Sequence, residues 1–292
     1  MKTVQAPPQA LRLVVALLAV VLTVGVASIG TAESQQPEYH HYVAMGDSYT
    51  AAPYVPLSDV AYGCNRSSNN YPQQVARELR IADVQDRSCS GAQTWDLPGR
   101  QQTHAGMEVP PQLSALTEQT DLVTVGIGAN NGRLYARLAT VCRKRSGVCR
   151  LADQHGRLTA ILDQLRPALV DVLEQVRHRA PDARILLVTY PQLLPDSGTC
   201  PRLPRMREED RATFRAVNQR LRDEMEAAAE EADVEFVDVY TASHGHDVCS
   251  DEPWVQGRVG SRRLGAALHP LARGQEAVAE LVLDELADEP DR

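Results

Sequence analysis

The chain has 292 residues, 43% of them hydrophobic and 23% charged, enough apolar material for the full core of one large domain. Its formal net charge is −8 and its arginines are scattered, which excludes the basic surface of a nucleic-acid-binding protein. The basic run Arg143-Lys144-Arg145 reads as an exposed loop.

The first 32 residues have the layout of a secretory signal peptide: Lys2 and Arg12 in a polar start, a nearly unbroken apolar run from Leu13 to Val26, then small residues. Cleavage after Ala32 or after Ala27 satisfies the small-residue rule. Loss of these two positive charges takes the net charge from −8 to −10. The alternative is an uncleaved membrane anchor, for which the run is near the short limit for spanning about 30 Å of hydrocarbon. Either way the remainder, 33–292, is expected outside the cytoplasm as one catalytic-size domain. The even cysteine set Cys64, Cys89, Cys142, Cys149, Cys200 and Cys249 fits an exported, disulfide-bonded protein. Cys142 and Cys149 are close enough to close a small loop, whereas spacing alone leaves the other four unpaired. No CxxC pair suggests a zinc ribbon or a thioredoxin-like motif.

Beyond the leader, strand-like and helix-like segments alternate. Tyr39 to Met45 predicts a strand, Tyr71 to Arg80 a helix, and Ile81 to Cys89 a weaker strand interrupted by Asp83 and Asp86. "DLVTVGIG" (121–128) predicts a buried strand, and 158–179 one long amphipathic helix despite Pro167. Then follow "RILLVTYP" (184–191) as strand, 208–232 as helix, "VEFVDVY" (234–240) as strand and 274–286 as closing helix. This alternation predicts an α/β protein: a three-layer α/β/α sandwich around a parallel, flavodoxin-like sheet. In such a sheet ligands bind at the carboxyl ends of the strands. Ser48, Gly91 and Asn130 follow the first three strands, so the topology brings them to one edge.

Ser48 lies in a Gly46-Asp47-Ser48 turn, where it could be a nucleophile or only part of a helix cap. No serine occupies a G-x-S-x-G elbow. A nucleophilic serine needs a base, oxyanion donors and something that orients the base. Among the eight histidines, His269 stands apart, in a loop after the last strand and just before the closing helix. His244 and His246 form an H-x-H that could bind a metal, but no third ligand is evident, so no metal or other cofactor is expected. With two Phe and two Trp, no aromatic platform announces a polysaccharide; Trp95, Trp254 and Tyr54 could line a pocket or pack in the core.

Four blocks in order, "GDSYTAA" around Ser48, "CSGAQT" around Gly91, "GIGANN" around Asn130 and "LHPLARGQEAVA" around His269, resemble those of the GDSL or SGNH hydrolases. The resemblance covers nearly the whole mature chain. It implies Ser48 as nucleophile and His269 as general base, with an oxyanion hole from the Ser48 N–H, the Gly91 N–H and the Asn130 side-chain amide. Asp47 would orient the turn. The cysteine placement resembles the disulfide-bonded extracellular esterase and lipase branch, which implies Cys64–Cys89, Cys142–Cys149 and Cys200–Cys249.

Two positions depart from the family's pattern. Asn131 stands where an aspartate is usual, which keeps the shape and drops the charge. Ala266 stands three residues before His269, where an aspartate commonly orients the base. Either a backbone carbonyl near Ala266 accepts the Nδ1–H of His269, giving a Ser–His dyad, or Asp247 or Asp251 supplies the acid. The resulting expectation is a secreted, monomeric serine esterase or lipase acting on small-molecule or lipid esters, with membrane contact only through a retained N-terminal segment. A carbohydrate O-acetylesterase or acyltransferase, and a non-catalytic binding protein that kept the fold, are the competing readings.

Overall fold

Five parallel strands run through the computed structural model, which describes Thr3 and residues 39–288 apart from 57, 61 and 142–154. They are β1 (His41–Gly46), β2 (Asp83–Asp86), β3 (Leu122–Gly126), β4 (Arg184–Val188) and β5 (Glu235–Val237). Their order is β2-β1-β3-β4-β5, with every neighbouring pair parallel. The chain steps from β1 outward to β2 and then back across β1 to β3. The reversal opens a crevice beyond the carboxyl ends of β1 and β3, the place where doubly wound sheets bind ligands.

The helices are α1 (Ser48–Ala51), α2 (Tyr71–Glu78), α3 (Leu134–Val141), α4 (His155–Asp163), α5 (Leu165–Arg179), α6 (Glu208–Glu231), α7 (Val239–Ala242) and α8 (Ala272–Ala287). Alternate strand residues point to opposite faces. Val43, Met45, Val123, Val125, Ile185 and Leu187 pack with Leu169 and Leu173 of α5 and Leu221 of α6. Tyr42, Ala44, Leu122, Leu186 and Val188 pack on the other face with Val75 of α2 and Val278 and Val282 of α8. Both faces are covered, which is why the central strands read as continuous apolar runs. Each fully buried side chain of this kind contributes roughly 1.5–3 kcal/mol relative to exposure. The result is the expected α/β/α sandwich.

Local differences from the sequence pattern have identifiable causes. The single helix expected over 158–179 is broken between α4 and α5 at Gln164. Pro167 has no N–H to give the residue 163 carbonyl, so it fits only in the first turn of a new helix. The last strand stops at Val237 because Asp238 caps α7, accepting the Thr241 N–H at 3.0 Å. Disulfides join Cys64 to Cys89 and Cys200 to Cys249, as the resemblance implied, and no described cysteine is free. The Cys142–Cys149 pair and the 143–145 basic run lie outside the described residues, as does the leader apart from Thr3.

The amino edge of the sheet is closed by charge. Arg184, mostly buried, bonds Glu235 at 2.6 Å and the Leu286 carbonyl at 2.9 Å, tying β4, β5 and α8 together. The carboxyl edge is left to the loops.

Candidate active site

The turn after β1 is too tight for any residue but glycine at 46. Its φ is +156°, and a Cβ there would lie 2.6 Å from the Gly126 carbonyl oxygen and 2.3 Å from Thr50 Oγ1. The Asp47 N–H donates to that Gly126 carbonyl at 3.0 Å, and the Asp47 carboxylate accepts the Tyr49 N–H at 2.8 Å as the cap of α1. Ser48 is therefore the first residue of the helix, where a backbone N–H has no intrahelical acceptor. It finds no other acceptor among the described residues.

His269 reaches this serine from a loop braced at several points. Gln256 donates to the His269 carbonyl at 2.8 Å, Leu271 donates to the Trp254 carbonyl at 2.8 Å, and Ala266 donates to the Pro53 carbonyl at 3.2 Å. The His269 Nε2 lies 2.8 Å from Ser48 Oγ, and its Nδ1 lies 2.8 Å from the Ala267 carbonyl oxygen. A carbonyl can only accept, so Nδ1 carries the hydrogen and the Nε2 lone pair faces the serine hydroxyl. Burial pushes the imidazole pKa below its ordinary value, and the Ala267 carbonyl offsets part of that shift. The ring is thus neutral at pH 7 and free to accept a proton.

The carbonyl expected from Ala266 is supplied instead by Ala267. The Ala266 carbonyl already accepts the backbone N–H of His269 at 3.2 Å, closing the turn and leaving the next carbonyl for the ring. Neither candidate carboxylate takes this place. Asp247 accepts the Cys249 N–H at 2.7 Å, and Asp251 is exposed; no hydrogen bond joins either to His269 among the described residues. His244 and His246 face separate partners, Asp196 at 2.7 Å and the Glu252 carbonyl at 2.8 Å.

Gly91 stands on the loop after β2, two residues beyond the Cys64–Cys89 bridge. Its φ is +86°, a left-handed backbone that favours glycine, and the nearest atoms to a Cβ there belong to the exposed His104 ring, 2.9 Å away at Nε2, which can turn aside. Its N–H has no acceptor among the described residues. Asn130, on the loop after β3, donates its amide to Asp47 Oδ2 at 3.2 Å and to the Ala92 carbonyl at 3.1 Å. Asn131 bonds Thr94 twice, accepting its N–H at 3.0 Å and donating to its Oγ1 at 2.8 Å. Its neutral amide therefore ties the Asn130 loop to the Gly91 loop.

Residues 44–277 match the model of the GDSL-like Lipase/Acylhydrolase family. The chain belongs to this family. Lipase 2 of Streptomyces coelicolor is 34% identical in an alignment spanning 96% of this chain and 99% of that protein. The crystal structure of phospholipase A1 from Streptomyces albidoflavus NA297 superposes with a TM-score of 0.70 at 25% identity, covering 85% of this chain and 99% of that one. That of the extracellular lipase from Streptomyces rimosus gives 0.70 at 28% identity, with 85% and 100% covered. This GDSL-like acylhydrolase is an ester-hydrolysing enzyme.

Two tyrosines join the candidate site, Tyr49 within the first motif block and Tyr190 outside all four. Tyr49 stacks on the His269 ring with centroids 5.1 Å apart, and its hydroxyl donates to the Leu268 carbonyl at 2.5 Å. Tyr190, just past β4, donates to Asp47 Oδ2 at 2.7 Å while accepting the Ala129 N–H at 3.0 Å. It links the turn before Ser48 to the loop of Asn130. Burial raises the Asp47 pKa to about 7, against the opposing pull of the bonds from Tyr49 and Tyr190. Adjacency to Ser48, for Tyr49, and position at a strand's carboxyl end, for Tyr190, were the available sequence signals.

Proposed function

We propose that the protein is a secreted serine ester hydrolase that works through an acyl-enzyme on Ser48, with His269 as its base in a Ser–His dyad. The observation that carries this reading is the 2.8 Å contact between Nε2 and Oγ, made by a ring whose other nitrogen is committed to the Ala267 carbonyl. Ser48 Oγ attacks the ester carbonyl as its proton passes to Nε2. The Ala267 carbonyl supplies a dipole, not a full charge, to the imidazolium that forms.

The oxyanion is received by the Ser48 and Gly91 N–H groups, which find no acceptor among the described residues, and by the Asn130 amide. That amide is held in place by Asp47 and Ala92 and must share a hydrogen with the oxyanion. Collapse of the intermediate returns the proton from His269 to the leaving alcohol, and water releases the acid by the same steps in reverse.

Lipid or small apolar esters are the substrate class, supported by the lipase and phospholipase relatives. Secretion is supported by the leader-like residues 1–32, by the two disulfides and by the extracellular Streptomyces rimosus lipase. Residues 33–292 are the catalytic domain, acting as a monomer. Among the described residues no helix is long and apolar enough to cross a membrane. The test is turnover of p-nitrophenyl esters of increasing chain length by the wild type, Ser48→Ala and His269→Ala. Both variants should lose several orders of magnitude in kcat at every length; activity of Ser48→Ala within tenfold of wild type would remove the reading.

A further inference from the structure

Among the described residues, the exposed large hydrophobic side chains are Val60, Tyr62, Trp95, Val259 and Leu264, between 54% and 67% accessible. All five lie on loops that leave the carboxyl edge of the sheet, the loops that also carry Ser48, Gly91 and His269. These loops are stitched together around the site. The Ala266 N–H donates to the Pro53 carbonyl, and Trp95 follows Thr94, which is bonded to Asn131. Scattered exposed apolar residues are ordinary, but exposed apolar residues on the loops that carry a site point to an interaction surface.

The charge on the same rim points to the partner. From Pro253 to Gln275 there are four arginines and no acid, in a chain whose net charge is −8. Arg258 donates to the Pro201 carbonyl at 3.2 Å and Arg273 pairs with Glu252 at 3.4 Å. The side chains of Arg262 and Arg263 are exposed and find no acceptor among the described residues. They sit with Leu264 at the tip of a hairpin closed by reciprocal hydrogen bonds of Ser261 and Gly265, at 2.8 and 3.0 Å. Asp96 accepts the Gln93 N–H at 2.8 Å, and Asp59 stands opposite Arg66 in a short ribbon. On the hairpin's own loop Asp247 accepts the Cys249 N–H at 2.7 Å and Glu252 pairs with Arg273, while Asp251 is exposed just ahead of the basic stretch. Two guanidinium groups with no acceptor among the described residues, beside an exposed leucine and three to four residues from an exposed valine, suit an anionic headgroup layer over hydrocarbon.

We propose that this rim docks the protein onto lipid–water interfaces containing anionic phospholipid. Arg262 and Arg263 engage headgroup phosphates, and Trp95, Val259 and Leu264 enter the acyl boundary. Leu264 is five residues from His269 on the same loop, so docking brings the loop of the base to the lipid layer. The surface adds to the ester-hydrolase reading without depending on its chemistry.

Binding is measured by cosedimentation of the full chain carrying Ser48→Ala with phosphatidylcholine vesicles, with and without phosphatidylglycerol. The parent should bind phosphatidylglycerol-containing vesicles more tightly, and added salt should weaken that binding. Arg262→Ala with Arg263→Ala should lower partition to anionic vesicles about 30-fold, about fivefold per arginine. Trp95→Ser with Leu264→Ser should lower it on both vesicle types. Turnover of a soluble short-chain ester by the same substitutions, made with Ser48 intact, should be unchanged, which establishes that they fold. Equal partition of parent and variants, no preference for phosphatidylglycerol, or no binding would overturn the proposal. Because binding is read in a chain lacking the Ser48 hydroxyl, such a failure leaves the ester chemistry standing.

Discussion

Substitution of Tyr49 by Phe isolates the support of the base. The ring stays, with its stacking on His269 at 5.1 Å and its edge contacts to Tyr135 and Tyr190 at 5.6 and 5.0 Å. The hydroxyl alone is lost, and with it the bond to the Leu268 carbonyl, at a place where both residues are buried. A buried acceptor left without a donor costs about 1–3 kcal/mol. At roughly 2–4 °C per kcal/mol for a protein of this size, Tm should fall by about 2–12 °C. Leu268 has φ +59°, a strained backbone for a leucine, and the Tyr49 bond helps hold it. Without that bond the residue before His269 can relax, lengthening the contact to Ser48. A displacement near 1 Å costs on the order of 100-fold in rate. The expected result is kcat lower by about 10- to 100-fold for a soluble short-chain ester, with KM within about threefold, alongside the lowered Tm. Wild-type kcat and Tm in Tyr49→Phe would refute the assigned role of this hydroxyl.

Other consequences follow from the same geometry. Because burial holds the His269 pKa below the ordinary 6.5 of a histidine, the acid limb of kcat/KM should have its midpoint below 6.5; a midpoint above 7 would point to a neighbouring carboxylate. For Asp47 the shift runs the other way, from 3.8 to about 7, so the folded state holds its proton more tightly than the unfolded one. Its contribution to stability is full below pH 3.8 and is lost as pH rises through about 7, on the order of 4 kcal/mol in all. Denaturant unfolding across that range should show wild type losing stability relative to Asp47→Asn, and parallel curves would contradict the shift. Gly91→Ala puts a side chain on a left-handed backbone at +86°, and relief of that strain displaces the N–H. Its kcat should fall about 100- to 1,000-fold with the circular dichroism spectrum unchanged, and undiminished turnover would exclude that N–H as a donor.

The parts of the site that were legible in the sequence are those whose chemistry resides in side-chain identity. Position after a strand brought Ser48, Gly91 and Asn130 to one edge, and the order of the four motif blocks, which resemble the GDSL hydrolases, added His269. The strands were legible because both faces are buried, so apolar residues run without interruption from Tyr42 to Met45 and from Leu122 to Val125 apart from Thr124, which bonds Tyr42 at 2.7 Å. The Ala267 carbonyl was not legible, because every residue has one and only the turn decides which carbonyl faces the ring. Tyr49 and Tyr190 act through bonds spanning 219 and 143 residues, distances at which local patterns carry no signal. The helix break at Gln164 depended on Pro167 accepting a first-turn position rather than a kink. Helix α3 is not legible in the sequence because Leu134 and Leu138 give too short a periodic stretch.

The claim on which the rest depends is that His269 activates Ser48 as a nucleophile. Incubation with a fluorophosphonate ester, followed by peptide mass spectrometry, reads that directly. One adduct per chain is expected, on the peptide containing Ser48, formed rapidly by the wild type and several orders of magnitude more slowly by His269→Ala. An adduct on another serine, or labelling of Ser48 at the same rate without His269, would contradict it.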